Sequence, residues 1–277
     1  LIVLVGSGFP LGLALGGVAL LTGVLFWNSS IFSLFYDRLF GVTTNYTFLA
    51  VPLFIFMGIM VEKSGMSTEL FNSLYLWLGG VRGGLAVATI WFGTILAATV
   101  GVIAASVTML GLSALPAMLQ RGYAKGIATG ACTAGGSLGI LIPPSIMLII
   151  YGPMANISVG KLFMAAFPAG LTLSALYTAY ILIRCALRPN EAPVLPPEDR
   201  NVPLKRKLNL LFTALLPPII LVLAVLGSIF LGIAAPTEAA AVGALASTIM
   251  AAAYRKLDFH VLKETCFSTA GTFSMVF

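Results

Sequence analysis

A tandem proline inside an apolar stretch is the feature of this sequence best suited to chemistry. Residues 135–145 read GGSLGILIPPS and lie about halfway along a charge-free stretch from Gly126 to Gly160. Two consecutive prolines remove two backbone N–H donors and clash with the preceding turn, so the pattern predicts an interrupted helix. At such an interruption, freed carbonyl oxygens can coordinate a hard cation such as Na⁺, and half-helix N-termini attract an anionic substrate. The predicted Na⁺ ligands are Gly135, Gly136, Ser137, Gly139, Pro143 and Pro144, and Ser145 is a predicted substrate-binding residue.

A second charge-free stretch supplies further candidate oxygens. Residues 83–120 lie between Arg82 and Arg121, are too long for one membrane span, and have a middle, AATVGVIAASV, without a polar turn. Two complete spans would need such a turn, so we predict a re-entrant hairpin over residues 83–120 that enters and leaves on one side. Its predicted Na⁺ ligands are Thr99, Gly101 and Ser106, and Ser106 is also a predicted substrate contact.

The alternative interpretation of these glycines and prolines is structural. Glycine allows helices to pack closely, and an isolated proline commonly only kinks a helix. We favour a site because GGSLG is followed at once by IPPS in the middle of a span.

The acidic residues argue against a proton-driven mechanism. Proton relays depend on ionisable side chains within the bilayer, and of nine acidic residues only Glu238 adjoins an apolar run. Glu238 follows Pro236 and Thr237, so we predict that it stabilises the first turn of a helix in preference to coupling ions. The spans also lack a Ser/His, His/Glu or Asp/Asp set, so we predict that the protein is not an enzyme.

Composition identifies the class of protein that must position these residues. The chain has 277 residues, 59% hydrophobic and only 9% charged, whereas soluble domains carry about 25% charged residues. Soluble, disordered and nucleic-acid-binding classes are excluded. The basic residues fall in short gaps between apolar runs, as in a protein that crosses a membrane several times.

The apolar runs predict an all-α membrane protein built as an inverted repeat. The first repeat covers residues 1–188, a cytoplasmic loop covers 189–208, and residues 209–277 begin a second repeat of opposite orientation. The loop is assigned to the cytoplasm because it is the most basic segment. Within the first repeat we predict an interfacial helix at 68–80, the hairpin at 83–120, a broken helix at 126–151 and a closing span at 162–183.

Several stretches resemble one transporter family. GGSLGILIPPSIMLIIYG, LAVPLFIFMGIMVEKSG at 49–65 and GIAAPTEAAAVGAL at 232–245 are similar to the large membrane subunit of tripartite ATP-independent periplasmic (TRAP) transporters, DctM-like members of the ion transporter superfamily. The resemblance implies an elevator-type secondary transporter in the bacterial inner membrane. It also implies uptake of organic acids with Na⁺ from a soluble periplasmic binding protein, and a four-helix small membrane subunit as partner.

The hairpin tip departs from the family pattern. Such tips commonly read like SGSS, but the aligned residues here are Val100, Gly101, Val102 and Ile103. A first cation site would then depend on backbone carbonyls with Thr99 or Ser106, or be altered. The family's second hairpin and second broken helix would lie beyond Phe277, so we expect the chain to be a fragment that holds about half of the transport site.

No arginine inside the predicted spans is available to bind a carboxylate. Arg38, at the outer edge of a span, is the remaining candidate, although an interfacial arginine is more often a lipid anchor. The alternatives to a transporter are a channel, since broken helices also line pores, and a membrane scaffold without transport activity, which would need no helix break.

Overall fold

The computed structural model describes residues 1–9, 11–27, 30–101, 103–194 and 203–276, and within these ranges the chain forms helices and turns without a β-strand. The prediction of an all-α protein is thereby confirmed. Val102 and the basic-loop residues Glu198, Asp199 and Arg200 lie outside the described ranges. The chain divides into two compact units, residues 1–48 and 49–277.

The described residues of the first unit form three helices. They are α1 (Ile2–Gly6), α2 (Leu11–Trp27) and α3 (Ser30–Thr43). Helix α2 packs on α3, and a glycine at position 23 is required because a Cβ there would collide with the side chain of Ile31. Most large apolar side chains of this unit, such as Leu25 and Phe26, are exposed.

The second unit begins with the helices that surround the predicted site. They are α4 (Ala50–Lys63), α5 (Met66–Leu78), α6 (Gly84–Val100), α7 (Ile103–Gln120), α8 (Lys125–Ser137), α9 (Ile146–Met154) and α10 (Val159–Leu187). Short 3₁₀ turns cover Tyr46–Leu49, Leu138–Ile140 and Pro189–Glu191. The predicted broken helix thus corresponds to α8, a 3₁₀ turn and α9, and the predicted hairpin corresponds to α6 and α7.

Four further helices lie within residues 203–276 of the second unit. They are α11 (Leu204–Ala214), α12 (Leu216–Phe230), α13 (Pro236–Ala253) and α14 (Phe259–Val276). Because α11 starts at Leu204, the helix begins inside the stretch predicted as the loop 189–208. The apolar run from Asn209 to Leu231 predicts one span, and Lys207–Phe230 is indeed one helical stretch long enough to cross a membrane. Within it a turn at Leu215 separates α11 from α12, because Pro217 and Pro218 lack the N–H donors that would continue the hydrogen-bond ladder.

Helix α6 lies at the centre of one apolar core. It contacts α5, α7, α8 and α10, and its residues Leu85, Ile90, Phe92 and Leu96 are almost fully buried. A second core forms where α4 contacts α9, α13 and α14. Burial of apolar surface in these two cores stabilises the packing of the helices that carry the predicted site.

Three helical stretches among the described residues are long and apolar enough to cross a membrane. They are Tyr46–Lys63, Val159–Leu187 and Lys207–Phe230. Each contains at least 18 residues, near the length needed to cross a bilayer.

Candidate functional site

The tip of the α6–α7 hairpin is formed by Gly101. Helix α6 ends there in a left-handed conformation, with φ at 64°, and the Gly101 N–H donates to the carbonyl oxygen of Ala97 at 3.2 Å. Glycine adopts positive φ without the steric penalty that a Cβ imposes. The sequence therefore allows α6 to end abruptly at Gly101, so that α7 can begin at Ile103.

The hairpin tip lies against the interruption of the α8–α9 helix. A Cβ built on Gly101 would be 2.6 Å from the carbonyl oxygen of Pro144 and 3.8 Å from the Cα atom of Ser145. The structure thus brings together Gly101 and the Pro143–Ser145 segment, which sequence analysis assigned to one site from two separate stretches. Pro143, Pro144 and Ser145 are buried.

A glycine of α4 also reaches the hairpin tip. A Cβ on Gly58 would lie 2.7 Å from the Cα atom of Val100 and 3.1 Å from the carbonyl oxygen of Thr99. Sequence reasoning did not select Gly58, although a glycine in the middle of the apolar stretch LAVPLFIFMGIMV was a possible signal of close backbone approach. Three chain segments therefore converge at residues 99–101.

Ser106 and Ser145 are buried hydroxyls without a hydrogen-bond partner. Their side chains are 1% and 0% exposed, and neither Oγ atom contacts a donor or acceptor. Leaving a buried hydroxyl unpaired carries an unfavourable free energy of about 1–3 kcal/mol. Both residues are predicted substrate contacts, and the Ser73 hydroxyl on α5, outside the predicted site, is likewise buried without a partner.

The other predicted hydroxyl ligands are already hydrogen-bonded. Thr99 is 1% exposed, and its hydroxyl donates to the carbonyl oxygens of Leu96 and Ile95 at 3.1 and 3.3 Å. Ser137 is exposed, and its hydroxyl donates to the Ala134 carbonyl oxygen at 2.9 Å. Both oxygens retain a free lone pair that could accept a further bond. Unlike the hydroxyls of Ser106 and Ser145, however, both already have a hydrogen-bond partner.

The glycines of GGSLG have a clear packing role. A Cβ on Gly93 would lie 2.6 Å from the Gly135 carbonyl oxygen, and one on Gly136 would lie 2.8 Å from the Cα atom of Val107. The structural interpretation considered above therefore applies to Gly135 and Gly136, because α8 approaches α6 and α7 through them. Gly139 is buried in the 3₁₀ turn between the two half-helices.

Arg38 is exposed on α3 of the first unit. The structure places it inside a 14-residue helix, whereas the sequence suggested only the edge of a span. It remains a prediction as a substrate contact.

Glu238 has the structural role predicted for it. It occupies the first turn of α13, where one carboxylate oxygen accepts a hydrogen bond from the Ala235 N–H at 2.8 Å. This bond satisfies one of the N–H groups that a helix start leaves free.

Oxygen atoms are the available ligands of the site. Among residues of the described ranges, no group of three His, Cys, Asp or Glu side chains is close enough to hold a metal ion. The donors at the hairpin tip and helix interruption are carbonyl and hydroxyl oxygens, which suit a hard cation and not a transition metal.

The chain is similar to known transporter proteins. A family model described as "Tripartite ATP-independent periplasmic transporter, DctM component" matches residues 1–277. The C4-dicarboxylate TRAP transporter large permease protein DctM of Pseudomonas aeruginosa is 35% identical over 238 residues, which are 86% of this chain and 54% of that protein.

Relatives whose names give other substrates have similar sequence identity to this chain. The isethionate TRAP transporter permease protein DctMQ of Oleidesulfovibrio alaskensis is 34% identical, across 97% of this chain and 41% of that protein. The sialic acid TRAP transporter large permease protein SiaM of Vibrio cholerae is 33% identical, across 98% of this chain and 62% of that protein. The chain thus spans about half the length of these curated relatives.

Proposed function

Because the chain belongs to the DctM component family of tripartite ATP-independent periplasmic transporters, we propose that it forms part of a large permease that takes up an organic acid together with Na⁺. The named substrates of its relatives include C4-dicarboxylates, isethionate and sialic acid. These solutes are all acids, and ectoine, named for two further relatives, is a zwitterion that carries a carboxylate. An acidic group is therefore the feature that these named solutes share. We place the protein in the bacterial inner membrane as a multi-pass component.

The buried, unpaired hydroxyl of Ser145 is the main observation that supports the proposal. It lies at the N-cap of α9 and makes no capping hydrogen bond, so the free N–H groups of that helix start also remain available to an anion. Gly101 and the carbonyl oxygen of Pro144 lie beside it. A substrate carboxylate at α9 and a Na⁺ ion at the carbonyl oxygens would attract each other, which gives a physical reason for coupled uptake.

The α6–α7 hairpin and the interrupted helix would move as one body in this scheme. We propose an elevator mechanism, in which that body, together with the helices held against it, carries the site between the two membrane faces. The close contacts of Gly93 with Gly135 and of Gly136 with Val107 support rigid movement of α6, α7 and α8. A soluble periplasmic binding protein would deliver the substrate, and a small four-helix membrane subunit would complete the complex.

Replacing the unpaired hydroxyls separates a binding role from a packing role. In the complete transporter, Ser145→Ala and Ser106→Ala remove groups that lack a partner, so thermal stability should stay constant or rise. If the hydroxyls contact Na⁺ or substrate, the half-saturating concentration of that solute in an uptake assay should rise about tenfold, equivalent to about 1.4 kcal/mol.

Ser247→Ala is the matched control. Ser247 is also fully buried, but its hydroxyl donates to the Ala244 carbonyl oxygen of its own helix at 2.9 Å. We expect this variant to keep both half-saturating concentrations. Unchanged concentrations in both site variants would contradict the assignment.

A further inference from the structure

The segment that follows α10 folds back onto the start of α8. We define residues Arg188–Ala192 as the α10 latch. The backbone carbonyl oxygen of Glu191 accepts a hydrogen bond from the N–H of Ala124 at 2.8 Å. Ala124 is the N-cap residue of α8, so the latch holds the point at which the interrupted helix begins.

The side chain of the same glutamate binds the end of α10. One carboxylate oxygen accepts from Arg184 Nε at 2.9 Å, and the other accepts from Arg188 Nη1 at 3.0 Å. Charge-assisted hydrogen bonds of this kind are stronger and more directional than neutral ones. Arg184 also donates to the Tyr180 hydroxyl at 2.8 Å, which restricts its orientation. Glu191 therefore connects α10 through its carboxylate with α8 through its carbonyl.

Apolar packing of Ala192 also holds the latch in place. Ala192 is fully buried and belongs to the same core cluster as Tyr123, Ile127 and Cys185. The hydroxyl of Tyr123 accepts a hydrogen bond from the Leu85 N–H at 3.2 Å, which links this cluster to the first turn of α6. The starts of α6 and α8 and the end of α10 therefore meet at the latch.

The exposure of the ion pairs indicates a positioning role for Glu191. Its side chain is 21% exposed, and those of Arg184 and Arg188 are 38% and 69% exposed. Exposed ion pairs add little to global stability because water and salt screen them. Two ion pairs on one carboxylate can nevertheless fix where a short segment sits, because they restrict its rotation.

We propose that Glu191 is a positioning residue that fixes the first turn of α8 to the end of α10, and so sets the position of the interrupted helix. This inference concerns how α8 is held, and it does not depend on which solute is transported. A shift of the α8 start would be transmitted along its 13 residues to the break, because a helix of that length is rigid.

Amide hydrogen exchange of the complete transporter tests the proposal directly. In Glu191→Ala, a peptide covering residues 122–128 should exchange at least about fivefold faster than in the unsubstituted protein, because its opening becomes easier. Glu69→Ala removes an exposed carboxylate on α5 and should leave that peptide unchanged. The double variant Arg184→Gln with Arg188→Gln removes the same two ion pairs and keeps Glu191 in place. It should reproduce the effect if Glu191→Ala folds poorly.

A distance measurement provides a second criterion. Spin labels at Thr129 and Leu187, which are exposed on α8 and α10, should give a narrow distance distribution that broadens in Glu191→Ala. Exchange or distances unchanged in both the Glu191 variant and the double arginine variant would overturn the proposal. Exchange accelerated equally throughout the chain would also overturn it, because it would show a loss of global stability and not a local release.

Discussion

Substitution of Gly101 by alanine should weaken cation binding without preventing folding. Two structural features make this position sensitive: φ is 64°, and the added Cβ would lie 2.6 Å from the carbonyl oxygen of Pro144. An alanine in the left-handed region costs about 1–2 kcal/mol. Relieving the collision also requires a displacement of roughly 1 Å to reach ordinary van der Waals separation.

The simplest relaxation moves the hairpin tip away from Pro144. If the Na⁺ site needs the tip and the interruption together, each binding event must then restore the strained geometry. If Na⁺ binding must restore about 1–2 kcal/mol of strain, the affinity for Na⁺ falls by roughly 5–30-fold. We expect the half-saturating Na⁺ concentration for uptake in proteoliposomes to rise by that factor.

Gly111→Ala provides the matched control for this experiment. Gly111 lies inside α7, and a Cβ there would meet nothing within 4 Å. Alanine should be neutral or stabilise the helix by about 0.5–1 kcal/mol. The reasoning would be refuted if Gly101→Ala assembled normally and transported with the Na⁺ dependence of Gly111→Ala.

Three further predictions concern the interruption, the latch and the topology. Replacing both Pro143 and Pro144 with alanine favours continuous helix by about 3 kcal/mol per proline, so Na⁺-dependent uptake should be lost in a complex that still assembles; uptake with the original Na⁺ requirement would contradict this. The pKa of Glu191 lies below its ordinary value because of its hydrogen bonds to Arg184 and Arg188. In the wild type, the amide protons of residues 122–128 should therefore be better protected from exchange than in Glu191→Gln above about pH 4.3, and the difference should vanish as the pH falls through the lowered folded-state pKa; a difference that grows in acid would contradict this. Cysteines at positions 82 and 121 should react with an impermeant reagent from the cytoplasm, and one at position 156 only from outside; labelling of 82 and 121 from opposite sides would exclude the re-entrant hairpin.

The helices and the interruption could be predicted from local sequence. Charge-free runs, Pro143–Pro144 and the position of Glu238 after Pro236 each act through nearby backbone, and α8, α9 and α13 lie where these patterns place them. The turn at Leu215 could also have been predicted, because Pro217 and Pro218 interrupt a hydrogen-bond ladder as Pro143 and Pro144 do.

The tertiary contacts of the site could not be predicted. Nothing local to Gly101 indicates that its Cα lies against Pro144, and nothing near Gly58 indicates that α4 touches the hairpin tip. Sequence also could not distinguish Ser145 from Ser137, since burial and hydrogen bonding depend on helices far apart in the chain. Glu191 falls in the stretch predicted as the loop 189–208, and its role could not be predicted because its two arginine partners and Ala124 meet it through the fold.

The most direct measurement is uptake by the complete transporter under separately imposed ion gradients. With membrane potential held constant, an inward Na⁺ gradient should drive accumulation of the acid, and collapse of the pH gradient should leave the rate unchanged. This result is expected because the oxygens identified at the hairpin tip and the helix interruption are carbonyls and hydroxyls, which suit a hard cation and do not titrate. Accumulation that followed the proton gradient and ignored Na⁺ would contradict the account.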